Sequence, residues 1–385
     1  MATVFVWIFL WLLLSFELSD ETSFYHEAMT TTDASNFSLA IGSKSNNAVE
    51  TAAFAISLMI AGLGLLGNGL IIVLFCLNWN LTRTLTSLYI FHQSIIDFVS
   101  SMMFAALQLD TWRPLLSVGG WVEDLSCKVW YSKALFWSLL HISTINLVLV
   151  TIERYISVLH PIFRLNHFTR RKAKLTMLLA WLIGLTYQSY WMVISKGDQG
   201  QCYQEFPSDA LQNVFGGLTL LVEYLIPLSI MSFAYVRIIA RLKKLAKYGE
   251  RRRRYSTTTM TPSKRRGNKS SPYKLRVRCR SGPTQLMLVK ARRNVTKTLC
   301  LVFATYVICW TPVEIEYIIY SVGIAYHHQN IGQSVTTSIL MGNMCVNPFI
   351  YAAKYRQIQM AAKRTWNKLL CRHTSNVPFP PSPSI

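Results

Sequence analysis

The sequence predicts an all-α membrane protein, a seven-transmembrane helix bundle with a short amphipathic eighth helix, and three observations lead there. The first is composition: 51% of the 385 residues are hydrophobic and only 15% are charged, with a positive mean hydropathy of +0.28, an unusual balance for a soluble chain. The second is clustering. Seven apolar blocks, near 50–76, 85–109, 127–158, 174–195, 211–242, 295–322 and 329–353, each reach the roughly 20 residues a helix needs to cross a hydrocarbon core of about 30 Å. The third is periodicity. Runs such as Leu70 to Phe75 are apolar on all sides, whereas the strand of a membrane barrel alternates, and a lipid-exposed segment must satisfy its own backbone as a helix does.

The elements follow in order. Residues 1–19 contain an apolar run, Phe5 to Phe16, too short to span. A cleaved signal peptide is the expected reading, although no Lys or Arg precedes the run and no clear small-residue cleavage site follows. The competing reading is an uncleaved additional span. Residues 20–48 are polar and rich in Ser, Thr and Asn, with a glycosylation sequon at Asn36; a disordered extracellular tail is expected. Residues 49–353 form the bundle, 354–371 the amphipathic helix and 372–385 a cytoplasmic tail.

The net charge of +21 takes its meaning from its location. The segment between the fifth and sixth blocks, about 243–290, carries Arg251 to Arg254, Lys264 to Arg266 without interruption, and further basic residues up to Arg293. Arg164, Arg170, Arg171 and Lys172 follow the third block, and Lys354, Arg356, Lys363, Arg364 and Lys368 follow the seventh; the alternate loops offer little beyond Arg113 and Lys196. Basic loops stay in the cytoplasm, so the N-terminus is expected outside and the C-terminus inside, in a plasma-membrane protein. The same rule assigns the basic charge to orientation, with no nucleic-acid partner expected. The sequons at Asn80, Asn268 and Asn294 then fall on the cytoplasmic side and are chance matches. Cys127 and Cys202 are the cysteines on the outer side, where oxidation is permitted. A disulfide is expected, against the alternative of two unrelated cysteines.

Polar side chains inside a span are costly and mark function by default. They are Asn68, Asp97, Ser143, Asn146, Asn343 and Asn347, with Glu153, Arg154 and Tyr155 at the cytoplasmic end of the third block; Pro227, Pro312 and Pro348 interrupt the fifth, sixth and seventh. In this set and order the chain resembles the rhodopsin-like family of G-protein-coupled receptors. The resemblance rests on Gly67-Asn68, Asp97, Cys127, Glu153-Arg154-Tyr155, Trp181, Pro227 with Tyr235, Cys309-Trp310-Thr311-Pro312, and Asn347-Pro348-Phe349-Ile350-Tyr351, covering about 50–371.

What the resemblance implies is a receptor that passes an extracellular ligand signal to a heterotrimeric G protein, with arrestin, receptor kinases and membrane lipids as further partners and no enzymatic activity. Arg154 is always charged and is held by Glu153 until activation frees it. Pro312 bends the sixth helix below Trp310 and Pro348 bends the seventh, so that Tyr351 can turn toward Tyr235. Asp97, Ser143, Asn343 and Asn347 resemble the family's sodium site, the one cofactor expected, as an allosteric ion; the alternative is a self-satisfied polar network. Cys371, at the end of the amphipathic helix, is expected to be palmitoylated.

Three departures from the family pattern carry expectations of their own. The interval from Cys127 to Arg154 is 27 residues, two longer than usual, so either the disulfide geometry or the start of the third helix should be slightly unusual. Arg292 stands where many relatives hold an acidic residue, which removes one ionic tether and predicts raised basal activity. Tyr306 replaces the usual phenylalanine one turn below Trp310.

Spacing from these motifs puts Phe136, Leu140, His141, Thr219, Glu223, Val313, Glu314, Thr337 and Met341 at the ligand-binding level. The seventh block has no lysine between Gln329 and Ala353, which excludes a retinal Schiff base. Phe136 replaces the aspartate that clamps biogenic amines. The remaining acidic character points to a basic peptide or small cationic ligand met by Glu223 and Glu314, unless Glu223 and His141 satisfy one another. Glu314 and Glu316 are expected near enough to the outer surface to be solvated. A multi-helix transporter or channel is the rival class; internal repeats or broken helices would mark it, and none is seen. No H-E-x-x-H or G-x-S-x-G motif supports an enzyme.

Overall fold

The computed structural model describes residues 34–112, 121–198, 201–258, 281–322 and 331–375. It separates into two units, residues 1–52 and 53–385. The described part of the first unit is helical from Ala34, within the stretch expected to be disordered. The expected signal peptide and the last residues of the tail lie outside the described residues, as do the side chains of Asn36, Arg292 and Cys371.

The helices are α1 (Ala34–Leu77), α2 (Leu85–Trp112), α3 (Ala134–Leu159), α4 (Arg170–Gln188), α5 (Asp209–Thr219 and Ile226–Thr258 around a π-turn, Leu220–Leu225), α6 (Ser281–Ser321), α7 (Ile331–Lys354) and α8 (Arg356–Ser375). Six segments, one from each of the first six helices, are long and apolar enough to cross a membrane. α7 carries Gln333, Thr336, Thr337, Asn343 and Asn347, which lowers its hydropathy; Asn343 and Asn347 are buried among the other helices. α5 and α6 extend well into the expected third loop, reaching Thr258 and starting at Ser281. The Asp209–Tyr248 segment alone has 40 residues, about 60 Å of helix against a core of about 30 Å.

Local chemistry sets the ends. The hydroxyls of Thr169 and Ser208 cap α4 and α5 by accepting from Lys172 N and Leu211 N, both at 3.3 Å, and satisfy donors that a helix start leaves bare. The irregular start, one of the two alternatives expected at α3, takes a definite form. A short helix, Trp121–Ser126, leads into a π-turn, Cys127–Tyr131, and Lys133 then adopts a left-handed backbone with φ 56° before α3 begins. A π-turn spends more residues per turn than an α-helix, so it and the break at Lys133 together interrupt the α-helical count between Cys127 and Arg154.

On the same side, β1 (Ser195–Asp198) and β2 (Gln201–Gln204) pair antiparallel with Gly197 opposite Cys202. Cys202 is joined to Cys127 by the expected disulfide, across 75 residues. Outside the spans, Glu205 beside Lys196 at 2.6 Å holds that ammonium above its usual pKa.

Inside, prolines leave carbonyls bare and neighbouring helices answer. Pro348 has no N–H for the carbonyl four residues earlier, that of Met344; Asn68 Nδ2 of α1 donates to it at 3.2 Å. Gly67 makes the approach possible, since a Cβ there would stand 2.7 Å from Pro348 Cγ. Pro227 likewise leaves the carbonyl of Glu223, and the Tyr306 hydroxyl of α6 donates to it at 2.8 Å. α8 is fastened to the bundle by Ser87 donating to Gln357 at 3.2 Å and by Asn78 donating to Thr365 at 2.9 Å, and Tyr355, just before it, meets the Ser87 hydroxyl at 3.1 Å. It buries Ile358 and Ala361 and exposes Lys363, Arg364 and Trp366.

Candidate functional site

Three layers of polar side chains run through the bundle. At the C-terminal end of α3, Glu153 is buried and accepts four bonds. Arg154 Nε at 2.6 Å and Thr86 Oγ1 at 2.7 Å meet its Oε2; Ser157 Oγ at 2.8 Å and Arg164 Nε at 3.3 Å meet its Oε1. The expected pair with Arg154 is present, and a second guanidinium joins it. Arg164 sits in the short helix Pro161–His167; a basic residue eleven positions on, beyond the end of α3, carries no sequence mark of such a role. Tyr155 packs at 6.0 Å from His160 and 6.1 Å from Phe233. The Tyr235 hydroxyl is engaged with Thr151 of α3 at 3.1 Å, and Tyr351 is buried in the core.

The middle layer centres on Asp97, fully buried in α2. Its Oδ1 accepts from Gln93 Nε2 at 2.8 Å and Ser143 Oγ at 3.2 Å, and its Oδ2 accepts from Asn347 Nδ2 at 2.9 Å. Gln93 also donates to Ser143 and accepts from Asn146 Nδ2 at 2.7 Å. Thus three of the four expected residues are bonded together. Gln93 was legible as a partner only by its spacing, one turn before Asp97. The side-chain oxygens of Asn343 and Asn347 are buried without a hydrogen-bond donor among the described residues. One carboxylate with such neutral oxygens matches what a hard monovalent cation takes, so the residues fit the ion. Above them Trp310 is buried, 5.7 Å from the Tyr306 ring.

The outer layer divides the expected ligand residues. Leu140, Val313 and Met341 join the apolar core, and Phe136 stacks on Phe104 at 5.9 Å; Thr337 is half-buried. His141, Thr219, Glu223 and Glu314 form a buried polar group instead. Two expectations are corrected. Glu223 does not pair with His141: its Oε1 accepts from Gln188 Nε2 at 2.9 Å, while His141 stacks on Tyr187 at 5.0 Å. The π-turn rotates Glu223 toward the end of α4, a displacement no α-helical count anticipates. Glu314 is 4% exposed, not solvated, because it lies only one turn above Trp310; Glu316 is half-buried and bonded to Thr336. Tyr187, Tyr190 and Tyr317, beside this group, have no counterpart among the expected residues; the Tyr190 and Tyr317 hydroxyls are 3.5 Å apart.

A family model described as 7 transmembrane receptor (rhodopsin family) matches residues 67–351. Among curated proteins, the chain is 23% identical to galanin receptor 2b of Danio rerio over 82% of this chain and 74% of that one. It is 28% identical to human neuromedin-U receptor 1 over 69% and 60%, and 24% identical to the alpha-1A adrenergic receptor of Oryzias latipes over 77% and 63%. The chain therefore spans between 60% and 74% of the length of these three relatives.

Proposed function

Because the chain belongs to the rhodopsin family of seven-transmembrane receptors, we propose that it transmits the binding of an extracellular cationic ligand, a basic peptide or a small molecule, to a heterotrimeric G protein. The relatives are named for galanin, for neuromedin-U and as an adrenergic receptor, names that agree on no single ligand. The ligand class is argued from the residues of this chain.

The observation that carries the reading is the double role of Glu223. Its buried carboxyl faces the outer polar group, while its backbone carbonyl is the one held by Tyr306 of α6. A cation drawn to the carboxyl pulls on the same residue whose carbonyl ties α5 to α6. Loss of that tie frees α6 to turn about Pro312, and the cytoplasmic ends of α5 and α6 part. Arg154 then leaves Glu153 and offers its donors to the G protein.

The basic loops support a cytoplasmic C-terminus and an extracellular N-terminus in the plasma membrane. Arrestin and receptor kinases are the proposed later partners, lipids the partners of α8, and Asn36 and Cys371 the sites of glycan and palmitate. When bound at Asp97, sodium supplies a positive charge that stabilises the buried carboxylate. Ser143, Asn343 and Asn347 would hold it there, and Gln93 keeps Asp97 oriented.

The test is nucleotide exchange on each G-protein family in membranes carrying the full chain, under a panel of basic peptides and amines. Ligand-dependent exchange lost in Arg154→Ala is the expected result. Surface expression without exchange, together with ligand-dependent solute flux or current, overturns the receptor reading.

A further inference from the structure

In the outer polar group Gln188 Oε1 and Glu314 Oε2, with Thr219 Oγ1 and His141 Nδ1, are buried without a hydrogen-bond partner among the described residues. Glu223 and Glu314 are 3% and 4% exposed and lie within electrostatic range of one another. Among the described residues the ion pairs formed by Lys and Arg involve Asp124, Glu153 and Glu205, so neither carboxyl has a basic partner. Gln188, also buried, donates an amide N–H to Glu223 Oε1 at 2.9 Å. Its Oε1 and Glu314 Oε2 remain without a donor. Leaving such acceptors dry is costly, more so for a charged group, and two buried carboxylates without a cation cost more again. The unmet acceptors come from α4 and α6, and Glu223, bonded to Gln188, belongs to α5.

We infer that the group these acceptors are built for is a guanidinium, seated between Glu223 and Glu314 with Gln188 Oε1 as a third acceptor. This deepens the proposed function and rests on its reading of an extracellular cationic ligand. A guanidinium carries five N–H donors in one plane and is weakly hydrated, so it can bond both carboxyls and the amide oxygen at once. A primary ammonium has three donors at a single point and is strongly hydrated. A quaternary ammonium has none and leaves Gln188 Oε1 and Glu314 Oε2 as bare as before. Aromatic side chains stand nearby: Tyr190 stacks on Phe215 at 4.8 Å, and Trp191 lies 6.0 Å from Tyr317. Flat rings suit a planar cation.

The experiment is thermal unfolding of the purified full chain in detergent with small probes, a readout that needs no G protein. Butylguanidine and arginine amide are the guanidinium probes, citrulline amide the counterpart with an uncharged side chain, butylamine the primary ammonium and choline the quaternary one. A saturable rise in Tm is expected with the guanidinium probes at concentrations at least several-fold below butylamine, and none with citrulline amide. Glu223→Gln and Glu314→Gln should each weaken the guanidinium response tenfold or more, while Arg154→Ala keeps it. Should either glutamine variant fail to fold, Gln188→Leu reads the same contact and should weaken it several-fold. Equal responses to arginine amide and citrulline amide, a preference for choline, no response to either guanidinium probe, or unchanged binding in the variants overturns the inference. Guanidinium binding with no nucleotide exchange by any family sinks the receptor reading and leaves this one standing; exchange without guanidinium preference does the reverse.

Discussion

Arg164 Nε lies 3.3 Å from Glu153 Oε1, while Arg154 Nε lies 2.6 Å from the other oxygen of the same carboxylate. Releasing Arg154 therefore does not strand a buried negative charge, since Arg164 remains beside it. Arg164→Gln should lower both basal and ligand-driven nucleotide exchange several-fold, because Arg154 then becomes the sole cation on Glu153. Glu153→Gln should raise basal exchange. In the Glu153→Gln background the effect of Arg164→Gln should vanish, which a double-mutant cycle measures directly. Additive effects would mean that Arg164 acts elsewhere.

Tyr306 replaces a phenylalanine of the family pattern, and its hydroxyl supplies the donor that Pro227 withholds from Glu223. Tyr306→Phe should cost about 1 kcal/mol of stability and, by loosening α5 from α6, raise ligand-independent exchange several-fold. An unchanged basal rate would show that the bond is structural only.

Asn68 and Gly67 act together on Pro348. Asn68→Ala leaves the Met344 carbonyl bare and should lower stability by about 1–2 kcal/mol. Gly67→Val should be worse than Gly67→Ala, because each added methyl presses further onto the proline ring. The ranking can be read from melting curves of the purified variants; a Gly67→Val protein as stable as the parent would contradict the close approach.

The Asp97 layer predicts ion-specific stability. Sodium chloride should raise Tm relative to choline chloride at equal ionic strength, since a ligand of the folded state stabilises it by mass action. Asp97→Asn should abolish the difference, and Asn343→Ala should reduce it. Identical melting in the two salts would favour the self-satisfied network.

Lys133 holds a left-handed backbone at φ 56°, a conformation that costs an L-residue roughly 1–2 kcal/mol. Lys133→Gly should be neutral or slightly stabilising, and Lys133→Val clearly destabilising because its branched Cβ tolerates that region least. Equal Tm values for the two variants would remove the argument.

Amino-acid order by itself determined the seven spans, the pairing of Cys127 with Cys202, and the presence of Asp97, the Glu153-Arg154-Tyr155 triplet and three prolines at set depths. Those features follow from hydropathy and from the cost of polar groups in lipid, both of which are written along the chain. The partners of these residues were decided by tertiary structure alone. That Asn68 would answer Pro348, Tyr306 answer Pro227, Arg164 join Glu153 and Gln188 claim Glu223 depends on which helix faces stand opposite one another. The π-turn at Leu220–Leu225 and the break at Lys133 rotate those faces away from any count of 3.6 residues per turn, so contacts across helices emerge only once the helices are packed.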